Sequence, residues 1–282
     1  MGQHIVPQHY LEGFSDLSSP STIWVYEKNS KIIFRSSVRS VANENKRWPK
    51  NTEDRLANIV EDPANLVLDK IRNRLPITGN DKDILSAYMI TMIQRVPRGL
   101  ERMQAIFPEV REKVFAELES KITKLITENP AKENILQNTL DKLPEFRSKY
   151  ETEFPLEVWH QNIMPEALPR VLSLLPTMTW VFLTSDKKHP FLTNDNPVFF
   201  FEGLGMGKPD SEITFPVSST ITLWAIGNKN IVEGYLPAKE SIIREINRRT
   251  ASAATKYIYY STKAPWVVSL GNRRAPKLHR IQ

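Results

Sequence analysis

A chain of 282 residues, 40% hydrophobic and 25% charged, can fold as one large domain or two modest ones, and no apolar run in it approaches the roughly 18 residues that a membrane span needs. The absence of cysteine excludes disulfides, thiolate metal sites, iron–sulfur clusters and cysteine nucleophiles, and it suits a reducing, cytoplasmic compartment. From Arg244 onward nine Lys and Arg face one acid, Glu245, a local +8, whereas the rest of the chain carries 29 basic and 31 acidic residues, or −2. A nucleic-acid partner calls for such a localised excess, and a solvated basic tail produces the same count.

Met1–His9 shows no basic stretch leading into an apolar one, so no secretory signal is expected. Ser21–Arg35 reads as a hairpin, with Ile23–Tyr26 and Ile32–Phe34 as strands around Lys28-Asn29-Ser30-Lys31. From Thr52 an apolar series of helical period (Leu56, Ile59, Val60, Val67, Leu68, Ile71) runs to the stop at Leu75-Pro76. Asn80 or Asp81 can cap the next helix, which buries Leu85, Tyr88, Met89 and Met92. Pro97 lacks the N–H that would bond the carbonyl of Ile93, so a kink or stop is expected at Gln94–Arg98. A charged helix over about Glu109–Ile126 and another before Tyr150 follow. Strand-like runs then recur at Met178–Leu183, Val198–Phe201, Ile213–Phe215, Ile221–Ile226 and Tyr257–Tyr260, with one helix at Lys239–Ala254. The expected class is α+β: an N-terminal β-hairpin, an α-rich middle over about 50–176, and a C-terminal, mostly antiparallel sheet that rejoins the hairpin. Residues 1–262 form a single domain in this reading, and 263–282 an irregular basic tail.

The opening His4-Ile-Val-Pro-Gln-His-Tyr-Leu-Glu-Gly-Phe14 and the Trp24-Val-Tyr26 strand resemble the start of the family called domain of unknown function 4238. Further landmarks come in that family's order: Ser40–Glu44, the acids Glu53 and Glu61, Gln94-Arg95-Val-Pro-Arg98, Leu192–Val198, Phe215-Pro-Val-Ser218, and Asn247 ahead of Ala254. Two departures stand out. Asn194 replaces the Ser usual in the turn, and Arg47-Trp48 stands near the family's aromatic–Tyr pair. The family label implies a coherent fold and no particular activity.

The candidate catalytic residues are His4, Gln94, Arg95 and Asp195, each with a structural alternative. Histidine exchanges protons near neutral pH, and His4 can serve as base or acid; it can equally hold a loop. Gln94 and Arg98 share one helix face beside Arg95, and arginine's planar fork suits phosphate; the same arginines can instead settle a buried junction with Glu53, Glu61 or Asp195. Asp195 can orient His4, bind Arg95 or activate water; Asx residues before proline also fix tight turns, which accounts for Asp195 and Asn196 without chemistry. Asn196, Asn247, Arg98, Arg273 and Arg274 are the expected substrate contacts, with a solvated helix face as the alternative for Asn247. Magnesium through Glu53, Glu61 and Asp195 has weak support, since no dedicated ligand spacing, P-loop, nucleophile elbow or dinucleotide fingerprint occurs.

Two functions are carried forward. The first is a hydrolase of a phosphate-bearing substrate, specifically a nuclease, with His4 transferring a proton, Arg95 and Arg98 clamping phosphate and Asp195 orienting. The alternative is a non-enzymatic nucleic-acid-binding or regulatory module. No membrane partner is expected, and oligomeric state is left open.

Overall fold

The computed structural model describes residues 2–16, 18–45, 47–151, 154–186, 188–206, 208–227, 230–272 and 279–281. The chain divides into two compact units, Met1–Arg98 with Asn162–Gln282, and Gly99–Gln161. The α-rich stretch expected over 50–176 is helical as expected and is shared by both units: the helices before Arg98 cluster with the sheets.

In the larger unit β1 (Gly2–His4) is followed by α1 (Gln8–Glu12), the hairpin β2 (Thr22–Glu27) and β3 (Ile32–Ser37), and β4 (Asn43–Asn45), which pairs antiparallel with β1. Next come α2 (Lys50–Arg55), a π-helical turn over Leu56–Glu61, α3 (Asp62–Arg72) and α4 (Gly79–Arg95). The cap of α4 is Thr78, not Asn80 or Asp81; Asp81 is the third helical residue, and its carboxylate returns a bond to the Thr78 N–H. Helix α4 stops at Arg95, Val96 is extended (ψ 160°), and Pro97 opens α5 (Pro97–Glu128), as a ring that forbids helix upstream of itself dictates. The smaller unit holds most of α5, which starts earlier than the Glu109 expected, together with α6 (Glu133–Lys149), packed through Phe115, Ile122 and Leu143, and α7 (Leu156–Asn162).

After α8 (Pro169–Leu174), the chain forms β5 (Thr179–Thr184), β6 (Thr193–Asn194), β7 (Phe199–Phe200), β8 (Glu212–Ser218), β9 (Ile221–Ile226), β10 (Gly234–Pro237), α9 (Glu240–Ala253), β11 (Tyr257–Tyr260) and α10 (Trp266–Gly271). One sheet runs β10-β5-β9-β8-β7, with only β10–β5 parallel; the other runs β3-β2-β11-β6 and is antiparallel throughout. The expected return to the hairpin is β11 on β2, with Tyr260 opposite Trp24. Helix α10 lies within the stretch expected to be irregular.

Residues of β8 and β9 are buried along both strands, which demands cover on both faces of the sheet. On one face Phe215 stacks on Tyr10 of α1 at 5.2 Å and meets Tyr88 of α4 at 6.3 Å. On the other, Val181, Leu183, Trp224 and Ile226 pack with Ile243 and Ile246 of α9. Helix α9 buries polar as well as apolar side chains, Glu245, Asn247, Arg249 and Thr250 beside Ile243, Ile246 and Ala251.

Candidate functional site

Strand β1 carries His4 past the end of α4. The guanidinium of Arg95, 1% exposed, donates Nη2 to the carbonyl of His4 and Nη1 to Glu61 Oε1, and lies 5.1 Å from the Trp48 ring centre. Trp48 donates its indole N–H to Glu53, and its backbone exchanges bonds with the Gln3 amide at 2.9 and 3.0 Å. Arg95 and Glu53 thus meet at one indole, Glu61 joins through Arg95, and His4 reaches this junction by its main-chain carbonyl. The π-helical turn is what delivers Glu61, since the added residue per turn rotates Glu61 relative to Glu53 away from an α-helical placement. A charge as buried as Arg95 needs a paired carboxylate, and Glu61 provides it while remaining 23% exposed itself.

The imidazole of His4 is partly exposed, and its Nε2 lies 2.9 Å from the carbonyl oxygen of Arg39. A carbonyl only accepts, so Nε2 must carry the proton, and a neutral His4 then keeps Nδ1 bare. The orienting partner foreseen in Asp195 is therefore the Arg39 carbonyl. Nothing in a sequence distinguishes one carbonyl from its neighbours, so residue type carries no signal for Arg39. Arg39's own guanidinium is exposed and forms no ion pair among the described residues.

Asp195 is elsewhere employed. One carboxylate oxygen accepts from Thr255 N at 2.8 Å, the other from Lys256 N at 2.7 Å and Tyr257 N at 3.0 Å, so both are consumed by the turn that leads α9 into β11. Burial pushes its carboxyl above the ordinary range against the pull of those three amides. It makes no bond to His4 or Arg95 among the described residues, and this corrects the orienter and Arg-partner roles. The neighbouring amides complete the same knot. Asn194 accepts from Asn196 N at 2.8 Å and donates to the Thr250 carbonyl, Asn196 donates to the Ala253 carbonyl at 3.1 Å, and Asn247 bridges Leu192 N at 2.9 Å and the Pro190 carbonyl at 3.0 Å. Asn194 thus supplies the capping side chain expected of the family's Ser. Asn247 and Asn196 sew a loop to α9; among the described residues the one atom of either amide left unbonded is the buried Asn196 Oδ1.

Of the remaining candidates, Gln94 is buried beside Arg95 on α4, and Arg98, exposed at 44%, lies 3.5 Å from Glu202. Arg273 and Arg274 lie outside the described residues. No group of three or more His, Asp or Glu side chains is placed to share a cation among the described residues, so Glu53, Glu61 and Asp195 do not form the magnesium set considered from sequence. The basic excess also looks different in space. Of its six described members, Arg244 pairs with Glu240, Arg248 and Arg249 with Glu245, Lys256 with Glu27 and Arg280 with Asp210, leaving Lys263 over the Trp24 ring. No helix among the described residues is long and apolar enough to cross a membrane.

Neither the curated proteins nor the solved structures hold a match to this sequence. Residues 2–264 match the family described as protein of unknown function, DUF4238, a span that includes β1, the Arg95 corner and the Asp195 knot, and the chain belongs to that family.

Proposed function

We propose that the chain is a cytoplasmic hydrolase of a phosphate-bearing substrate, specifically a nuclease, reacting at the corner between His4 and Arg95. The observation that carries this reading is the Nε2 bond from His4 to the Arg39 carbonyl, which leaves Nδ1 as a base on a partly exposed ring. In this scheme Nδ1 takes a proton from the attacking water, and the resulting imidazolium returns it to the departing oxygen. Arg95 is a positioning residue: its hold on the His4 carbonyl fixes the backbone from which the ring projects. The exposed guanidinia of Arg39 and Arg98 supply the charge that meets phosphate, a task the buried Arg95 cannot perform.

The test is cleavage of end-labelled single-stranded RNA, single-stranded DNA and duplex DNA by the purified protein, with magnesium and with chelator. Cleavage is expected, and His4→Ala should slow it by about 100-fold or more at an unchanged melting temperature, because general-base groups contribute on that scale. Full activity in His4→Ala overturns the assignment. Binding that weakens steeply with salt, with no cleavage by any preparation, identifies the nucleic-acid-binding module instead.

A further inference from the structure

Residues 279–281 lie in a groove between the β8–β9 hairpin and α9, and the groove grips their main chain. The His279 N–H donates to Glu245 Oε1 at 2.7 Å, the His279 carbonyl accepts from Arg249 Nη2, and the Ile281 N–H donates to the Glu212 carboxylate at 3.1 and 3.3 Å. The gripping groups are deeply set. Arg249 is 0% exposed, pairs with Glu212 at 2.6 Å, and lies 5.4 and 5.0 Å from the ring centres of Phe199 and Phe201. Two side chains of the segment are read as well: Arg280 meets Asp210 at 3.0 Å, and Ile281 enters the apolar cluster of Val181, Trp224 and Ile226.

The fit is incomplete. A hollow of about 320 Å³ remains beside Ile281, bordered by Trp224, Ile226, Ile231 and Glu212. The indole N–H of Trp224, on a residue 7% exposed, has no hydrogen-bond partner among the described residues. A buried donor left unmade is costly, and a deeper or more polar occupant would remove that cost. Main-chain bonds for affinity with a few side-chain pockets for selectivity are the design of peptide-recognition grooves.

We propose that this groove is a binding site for an extended peptide with a basic residue followed by a branched apolar one, and that His279-Arg280-Ile281 is its resident occupant. The acids Asp210, Glu212 and Glu245 select the basic peptide, and Arg249 reads its carbonyl. The proposal stands apart from the reaction at His4 and shares no residue with it.

Hydrogen exchange on the unaltered protein is the first arm of the test. The amides of His279 and Ile281 should exchange by local opening, at least about tenfold faster than those of Thr214 and Leu223 in the central strands. Exchange at the same rate as those strands makes the segment part of the core and overturns the proposal. The second arm uses full-length Ile281→Asp, which vacates the seat, and a fluorescent peptide with the sequence of residues 272–282. The variant should bind that peptide saturably, the unaltered protein at least tenfold more weakly because its seat is filled, and a peptide carrying the same Asp not at all. No saturable binding to the folded variant, or equal binding of both peptides, overturns the proposal.

Discussion

Among the described residues, Arg95 and Arg249 are the two fully buried arginines of the larger unit, and they are built alike. Each lies over an aromatic ring, pairs with glutamate (Arg95 with Glu61, Arg249 with Glu212 and Glu245) and gives Nη2 to a main-chain carbonyl of a distant segment, Arg95 to His4 and Arg249 to His279. They differ in the company of that carbonyl. Around Arg249 the carboxylates also take the segment's amides, so every group serves to seat main chain. Around Arg95 the residue that owns the carbonyl keeps a partly exposed imidazole with one nitrogen unused among the described residues. The same device thus anchors a peptide in one place and holds out a titratable ring in the other, and the glutamates mark the contrast: Glu212 is 6% exposed on its side chain, Glu61 23%.

The comparison can be broken by substitution. Arg249→Met should have the largest effect, about 3–5 kcal/mol by urea unfolding, because it strands Glu212 in the interior. Arg95→Met should cost less, about 2–3 kcal/mol, since water reaches Glu61 once its partner is gone. An Arg95 effect equal to or above that of Arg249 would show that exposure of the glutamate is not what separates them. Asp195→Ala should cost about 2 kcal/mol by stranding three amides, and any loss of cleavage should follow the unfolded fraction and not exceed it.

A smaller effect has a pH signature. Burial raises the Asp81 carboxyl, but the Lys70 ammonium at 2.7 Å and the bonds with Thr78 outweigh it and hold the group below its ordinary 3.8. A depressed acid stabilises the fold above its unfolded value and loses that contribution as pH falls through the folded one. Asp81→Asn should therefore cost about 1 kcal/mol at neutral pH, and its stability curve should merge with that of the unaltered protein in acid below 3.8. His4→Gln should change stability least, by under about 0.5 kcal/mol, since it removes one bond at the surface.

Residue chemistry carried much of this architecture in plain view. Ile221–Ile226 and Tyr257–Tyr260 are strands over the ranges their β-branched and aromatic runs suggest, and Pro97 stops α4 where its ring requires. The elements that escaped are those created by pairing: β1, β4 and β6 are two or three residues long, and Gly234–Pro237 is a strand only because β5 offers it a parallel edge. At the site, Arg95 and His4 could be nominated from residue type, but their junction runs through the His4 and Arg39 carbonyls, which every residue possesses. Asp195 was open to two readings, and its flanking Asn194, Asn196 and Pro197 already favoured the turn. Charge misled most. Of the six described basic residues from Arg244 onward, five form ion pairs, with acids brought from Glu27, Asp210, Glu240 and Glu245.

The claim on which both the comparison and the proposed chemistry rest is that His4 keeps its proton on Nε2. Long-range proton–nitrogen spectra of histidine-labelled protein above neutral pH, with His4 assigned by its disappearance in His4→Gln, read this directly. The account predicts a neutral ring with hydrogen on Nε2 and a bare Nδ1; a ring with hydrogen on Nδ1 would contradict it.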